Sequence, residues 1–176
     1  MSAVRRSMLF TPVNISRFVQ NVWKHNPDMV VLDLEDSVAP GEKASARAMV
    51  QGASQYVARC GMEVAVRINH NTVADDCDAV IWPEICAVVL PKAESPDQIG
   101  VLDTLLTKLE GERMISDRSV EIMPMIETAL GVQNAYDIAS SSQRIKLFGV
   151  LGEADLTADL GASFDALQTQ DVLAYP

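Results

Sequence analysis

The residues best suited to acid, base or metal chemistry fall at the ends of short apolar runs. In chain order they are Thr11-Pro12, Asp33-Leu34-Glu35-Asp36, Arg67-Ile68-Asn69, Lys92, Glu127-Thr128 and Gly152-Glu153-Ala154-Asp155. Singly, each is a polar residue where a strand meets water, the ordinary place for such side chains. Jointly, an arginine and several carboxylates at successive strand ends converge on one mouth. Carboxylate oxygens are hard ligands, and two of them, completed by water and substrate oxygens, suit magnesium, which prefers octahedral oxygen and keeps part of its hydration shell.

Other chemistries find less support. Cysteines and histidines lie away from the strand ends except for His70, so no zinc site is expected. His70 is either a general base on the third loop or a solvated loop histidine. Ser140-Ser141-Ser142 reads as a helix ending or loop, not a nucleophile motif. Gly149-Val150-Leu151-Gly152 is too short and wrongly spaced for a dinucleotide fingerprint, and no phosphate-binding P-loop sequence occurs.

The elements that must position these residues alternate between short apolar runs and longer segments of helical period, the pattern of βα units. Strands are predicted at Ser7 to Thr11, Met29 to Leu34, Val64 to Ile68, Ala87 to Leu90, Glu121 to Ile126 and Ile145 to Leu151. Asn14 or Ser16 is expected to cap the first helix, and a second is predicted from Glu42 to Arg59, stopped by Gly61. Ser95 before Pro96 is a further helix start. Asn71 to Ile85 reads as less regular, and Gly111 to Ser119 as a polar connection. Six units fit either an open doubly wound sheet or the first part of an eight-unit barrel, and periodicity does not separate the two.

With 176 residues, 48% hydrophobic and 22% charged, the chain has the composition of one ordinary soluble domain, and no Gly-, Ser- or Pro-rich linker divides it. A formal charge of -10 argues against phosphate-backbone binding, so no nucleic-acid partner is expected. No apolar run suits a membrane span or a secretory signal, which makes the cytoplasm the default. Cys60, Cys77 and Cys86 form no CxxC pair and are expected to be buried thiols.

Six motifs together carry a resemblance. They are Arg6-Ser7-Met8-Leu9-Phe10-Thr11-Pro12, Val31-Leu32-Asp33-Leu34-Glu35-Asp36-Ser37-Val38, Val66-Arg67-Ile68-Asn69, Leu90-Pro91-Lys92-Ala93-Glu94-Ser95, Met125-Ile126-Glu127-Thr128-Ala129-Leu130-Gly131-Val132 and the run from Gly152 through Asp155 to Gly161. In this order they resemble the citrate lyase β-subunit and related CoA-ester lyases of the HpcH/HpaI aldolase superfamily. The resemblance implies a (β/α)8 TIM-barrel fold and a carbon-carbon lyase acting on a 3-hydroxyacyl-CoA ester such as citryl-CoA or malyl-CoA. It further implies Mg2+ held by Glu127 and Asp155, substrate contacts from Arg67 and Glu127, and a catalytic set of Arg67, Glu35 and Asp36. Glu35 and Asp36 then hold metal-bound water or position Arg67; the other reading is a solvated turn before Pro40-Gly41.

Three departures from the pattern stand out. Val13 replaces the usual glycine of a Pro-Gly-Asn turn, and Ala154-Asp155 replaces a Glu-Asp pair, with an acid one place earlier at Glu153. The chain also stops at Tyr175-Pro176, after about six βα units. Residues 1-176 are therefore expected to form a single, incomplete barrel domain with two open sheet edges and an unfilled interior, completed by association as a homo-oligomer, a trimer by resemblance. The alternatives to a CoA-ester lyase are an inert subunit of the same fold and a 2-oxo-acid aldolase. The Asp36-Ser37-Val38 sequence favours the CoA branch over the aldolase, which usually has a histidine after the second-strand acid.

Overall fold

The computed structural model describes residues 4–147 and 150–162. Strand β1 (Met8–Pro12) leads to the one-turn helix α1 (Ser16–Val19), β2 (Met29–Asp33) to α2 (Lys43–Arg59), and β3 (Glu63–Arg67) to α3 (Val73–Val80). Then β4 (Ile85–Leu90) leads to α4 (Pro96–Glu112), β5 (Glu121–Ile126) to the short helices α5 (Ala129–Gln133) and α6 (Ala135–Ser140), and β6 (Val150–Leu151) to α7 (Glu153–Asp159). Each strand pairs in parallel with the next, and spatial order follows chain order from β1 to β6. A doubly wound sheet reverses its order at a switch point; this one does not, so it is an arc of the (β/α)8 type.

Alternation along the strands splits the apolar residues between two cores. Outward-facing Val30, Leu32, Val64, Val66, Val88 and Ile122 pack under Val50, Val57, Leu102 and Leu106 of the helices. Inward-facing Met29, Val31, Ala65, Ala87, Val89, Met123 and Met125 form a second cluster with Phe10 and Leu147. These inner strand centres are buried, so the unfilled interior expected from sequence is not found there. Unbranched methionine adapts to such an irregular space.

Several local expectations change. Strand β6 is described at Val150–Leu151; Ile145 is irregular and Lys146 and Leu147 form a bend, so the predicted start of the strand is not extended, and Phe148 and Gly149 lie outside the described residues. Just before this segment the buried Arg144 side chain is tied to Asp103 and Glu110 of α4. Neither Asn14 nor Ser16 caps α1, because the Asn14 amide instead donates to Glu42 Oε2 at 2.7 Å and Ile15 occupies the cap position. The segment after Asn71 contains α3, with Asp75 and Asp76 in its first turn where the helix dipole favours acids. Cys77 is buried and Cys86 half-buried, but Cys60 is exposed where α2 ends. Ser95 caps α4 and Gly61 is left-handed (φ 86°) as expected, and Gln98 closes a reciprocal capping box with Ser95. Among the described residues no helix is long and apolar enough to cross a membrane.

A half-buried arginine and a fully buried one brace the arc. Arg5 links Glu63 at the start of β3 to Glu121 at the start of β5, below the cluster of inward methionines. Arg144 joins Asp103 (2.7 Å) and Glu110 (2.7 Å) on α4 and donates to the Val120 carbonyl beside β5 (3.0 Å). Burial alone would push Glu110 up; the Arg144 guanidinium and the Val120 and Arg118 amides outweigh it and hold the carboxyl below its ordinary value. Arg144→Met leaves buried Glu110 and half-buried Asp103 without their cation and is expected to lower the unfolding free energy by about 3 kcal/mol, measured by urea denaturation. Because the native carboxyls titrate low, the Arg144 contribution is present above the ordinary carboxyl range and lost as pH falls through the lowered values.

Candidate functional site

Parallel register brings the strand ends level, pairing Pro12 with Asp33 and Asp33 with Arg67. At this rim Asp33, 1% exposed, is the hub. It accepts Nε and Nη2 of Arg67, both at 2.7 Å, as a two-pronged pair. The same carboxylate folds the following turn, accepting the amides of Glu35 (2.9 Å) and Ser37 (3.2 Å) and the Ser37 hydroxyl (2.6 Å). Burial opposes its charge, but the Arg67 and Ser37 hydrogen bonds hold it below the ordinary carboxylate range. Sequence reading placed Asp33 at a strand end but gave it no role.

The rest of Arg67 faces the other two acids of that turn. Glu35 Oε2 lies 3.0 Å from Nη1 without the alignment of a hydrogen bond, and Asp36 Oδ2 lies at 3.4 Å. The Phe10 ring covers the guanidinium, 5.2 Å from its centroid to Cζ. Glu35 is buried, whereas the Asp36 side chain is 59% exposed on the rim. The solvated-turn reading therefore describes Asp36 and not Glu35.

A clasp behind the site fixes these loops. Lys43 donates to the Leu34 and Glu35 carbonyls (2.7 and 2.6 Å) and to Asn69 Oδ1 (2.8 Å). Buried Asp76 accepts the Asn69 amide (2.6 Å) and Arg47 Nε (2.6 Å). His70 is exposed beyond this clasp and lines the outer wall of an open pocket of about 630 Å³ with Lys43, Arg47 and Thr72. Glu35, Asp36 and Lys92 line the same pocket, but His70 makes no hydrogen bond or ion pair with them among the described residues. Lys43 and Asp76 sit within helical segments, where sequence offers no signal that their heads return to a strand end.

On the far strands, Glu127 is 1% exposed; its Oε1 accepts the Lys92 amide at 2.8 Å, and its Oε2 is buried with no hydrogen-bond partner among the described residues. Gly152 lies against it so closely that a Cβ there would meet Glu127 Oε2 and Cβ. Half-buried Asp155 follows on α7, and its charge is felt at both Glu127 and Lys92. Burial, then Asp155, pushes Glu127 above its ordinary value against the Lys92 amide. Glu153 and Ala154 are exposed, so Asp155 is the acid of this segment that turns toward the mouth. The substituted Val13 is buried in the outer core.

Among the described residues no three or more His, Cys, Asp or Glu side chains gather as a metal cluster. The unpartnered Oε2 beside a second carboxylate fits a cation that takes few protein ligands and fills its other positions with water or ligand oxygen, as magnesium does.

Comparison with known proteins identifies the family. The HpcH/HpaI aldolase/citrate lyase family model matches residues 6–174. The chain belongs to this family. It is 35% identical over 161 residues to the citrate lyase subunit beta of Leuconostoc mesenteroides subsp. cremoris, covering 89% of this chain and 53% of the relative. It is 28% identical over 170 residues to the L-malyl-CoA/beta-methylmalyl-CoA lyase of Rhodobacter capsulatus, covering 90% and 51%. The citrate lyase beta subunit from M. tuberculosis, solved in complex with oxaloacetate and magnesium, superposes with a TM-score of 0.66 at 28% identity, covering 92% of this chain and 64% of that one. This HpcH/HpaI family member thus spans about half the length of the curated relatives it matches.

Glu35 provides a test of the mouth's electrostatics. Burial, helped by Asp36 and Glu127 and opposed by Arg67 and Lys92, pushes its carboxyl up to about 7. The unfolded chain releases this proton near the ordinary value of 4.5, so between there and about 7 the folded state holds the extra proton. Stability therefore falls as pH rises through that window and levels off above it. In metal-free protein, Glu35→Gln is expected to remove this slope, read as the difference in urea-unfolding free energy between about pH 5 and about pH 8. The same slope in the variant would mean that Glu35 titrates elsewhere.

Proposed function

We propose that residues 1-176 form one βα-barrel catalytic domain of a magnesium-dependent lyase that cleaves or forms a carbon-carbon bond in a 3-hydroxyacyl-CoA ester such as citryl-CoA or malyl-CoA. The observation that carries this reading is the buried, half-satisfied carboxylate of Glu127 beside Asp155, on the same rim as Arg67. The family's CoA-ester lyases support it. In this reading Glu127 and Asp155 hold the metal, Glu127 also borders the bound substrate, and the partners are acyl-CoA or small carboxylates. A cytoplasmic setting and assembly as a homo-oligomer belong to the same proposal.

Cleavage breaks the bond between C2 and C3 of the acyl chain: the 3-hydroxyl proton leaves, an oxo acid forms, and the electron pair stays on the thioester as an enolate that takes up a proton. When bound, Mg2+ supplies a Lewis acid that polarises oxygen and stabilises negative charge. Arg67 binds the substrate carboxylate or carbonyl oxygen with whatever donor directions Asp33 leaves open, in a geometry that needs little rearrangement as charge develops. Asp33 and Glu35 position that guanidinium from two sides, and Phe10 keeps water from its face. Glu35 is also the carboxyl here that keeps a proton to about pH 7 at rest. Asp36, on the exposed rim, completes the catalytic set by holding Arg67 or a water.

Two experiments test the reading. Calorimetric titration with magnesium is expected to show binding to the wild type and loss of it in Glu127→Ala and Asp155→Ala. Gly152→Ala, which adds one methyl group against the Glu127 carboxylate, should lose binding as well; equal binding in all four proteins would remove these ligands from consideration. The chain with magnesium, given a panel of 3-hydroxyacyl-CoA esters, is expected to release acetyl-CoA, with Arg67→Ala inactive. No turnover of any ester by the wild type would overturn lyase activity for this chain.

A further inference from the structure

The cations around the mouth differ in how fully their donors are used. Arg67 has Nε and Nη2 on Asp33 and Nη1 facing Glu35 and Asp36. Lys43 is held by the Leu34 and Glu35 carbonyls and Asn69, and Arg47 by Asp76 and Thr72. Lys92 is different. Its ammonium stands 3.6 Å from Glu35 Oε1, beyond hydrogen-bonding length, and finds no acceptor among the described residues. Its side chain is 32% exposed and forms part of the wall of the open pocket beside Glu35, Asp36 and Asn69.

The backbone at this position adds an independent observation. Lys92 has φ 50°, a left-handed conformation in which a side chain is strained and glycine is not. The turn serves the site directly, since it aims the Lys92 amide at Glu127 Oε1 (2.8 Å) and lets the Ala93 amide reach the Met125 carbonyl (3.1 Å). Glycine would make the same turn without strain. A strained residue that carries a long cationic side chain into a pocket points to a use for that side chain. The surrounding charge says which use. Glu35, Asp36, Glu127 and Asp155 all act on Lys92, so an anion entering this acid-rich mouth needs a cation with free donors.

We propose that the Lys92 ammonium receives a carboxylate of the bound ligand, acting as a substrate-binding residue alongside Arg67. This rests on the reading of the mouth as a lyase site for carboxylate-bearing substrates. Arg67, clamped by Asp33, serves the oxygen next to the breaking bond, while Lys92, on a flexible stem, swings from Glu35 to the incoming anion. Its movement away from Glu35 gives the incoming anion a cationic partner and leaves Glu35 facing Arg67.

The test uses the full chain and two calorimetric titrations: magnesium alone, and freshly prepared oxaloacetate at saturating magnesium. Lys92→Met keeps the length and the backbone strain but removes the charge, and Lys92→Arg restores a cation. For Lys92→Met, oxaloacetate affinity is expected to fall about tenfold to a hundredfold, the range of a charged hydrogen bond. Magnesium affinity should stay level or rise, because removing a cation from among carboxylates deepens the negative potential. Lys92→Arg should recover most of the oxaloacetate affinity. A merely structural lysine would weaken both titrations together and would not be rescued by arginine; that result overturns the inference. Unchanged oxaloacetate binding in Lys92→Met overturns it as well, while the lyase reading stands. If the wild type binds neither magnesium nor oxaloacetate, the lyase reading fails and this inference fails with it.

Discussion

The Asp33–Arg67 pair is the interaction on which the mouth depends. Parallel register sets the two residues side by side at the ends of β2 and β3, where both are nearly removed from water. Two charges in that position carry a heavy desolvation cost, which is offset only when geometry is good and the remaining donors and acceptors are satisfied. Here both carboxylate oxygens meet the guanidinium, and the same oxygens gather the Glu35 and Ser37 amides. One carboxylate therefore folds the turn after β2 and aims the arginine of β3. The Lys43 and Asn69 clasp holds the same turn from behind, so Glu35 and Asp36 are fixed relative to Arg67 from both sides.

Around this pair the site is arranged with an excess of acid. Burial and like charge raise both Glu35 and Glu127, and neither effect is cancelled by Arg67 or Lys92. Such a mouth disfavours its own ionised state and is correspondingly receptive to a cation. The crowding of Gly152 on Glu127 shows how little room separates the end of β5 from the beginning of α7. A side chain there would occupy the space that a ligand of Glu127 needs. The fold alone implies none of this, since barrels of the same topology support many chemistries through their loops.

Family membership and geometry bear on different questions. The match over residues 6–174 and the superposition on a magnesium-bound citrate lyase beta subunit relate the chain to carbon-carbon lyases. The partners of each side chain come only from this chain's own packing. Lys43, Asn69 and Asp76 show the difference: they touch no acid of the proposed metal pair, yet they fix the backbone that carries Glu35.

Sequence by itself determined the βα alternation, most strand positions, the Ser95 cap before Pro96 and the Gly61 stop, because each depends on residues within one or two turns of one another. It also located the strand-end polar residues, since the carboxyl end of a strand is legible wherever an apolar run stops. Only the tertiary structure decided that strand order is sequential, that Arg144 is buried against Asp103 and Glu110 of α4, and that methionines take part in the inner cluster between strands. It also decided the partners within the mouth: Asp33 as hub, Lys92 poised between Glu35 and Glu127, and His70 on the pocket's wall without a hydrogen bond to the Arg67 cluster among the described residues. The physical reason is separation along the chain. Asp33 and Arg67 are 34 residues apart, and Lys92 and Glu127 are 35 apart. Which long side chain reaches which carboxylate is fixed by register and burial across strands, and no local pattern encodes that choice.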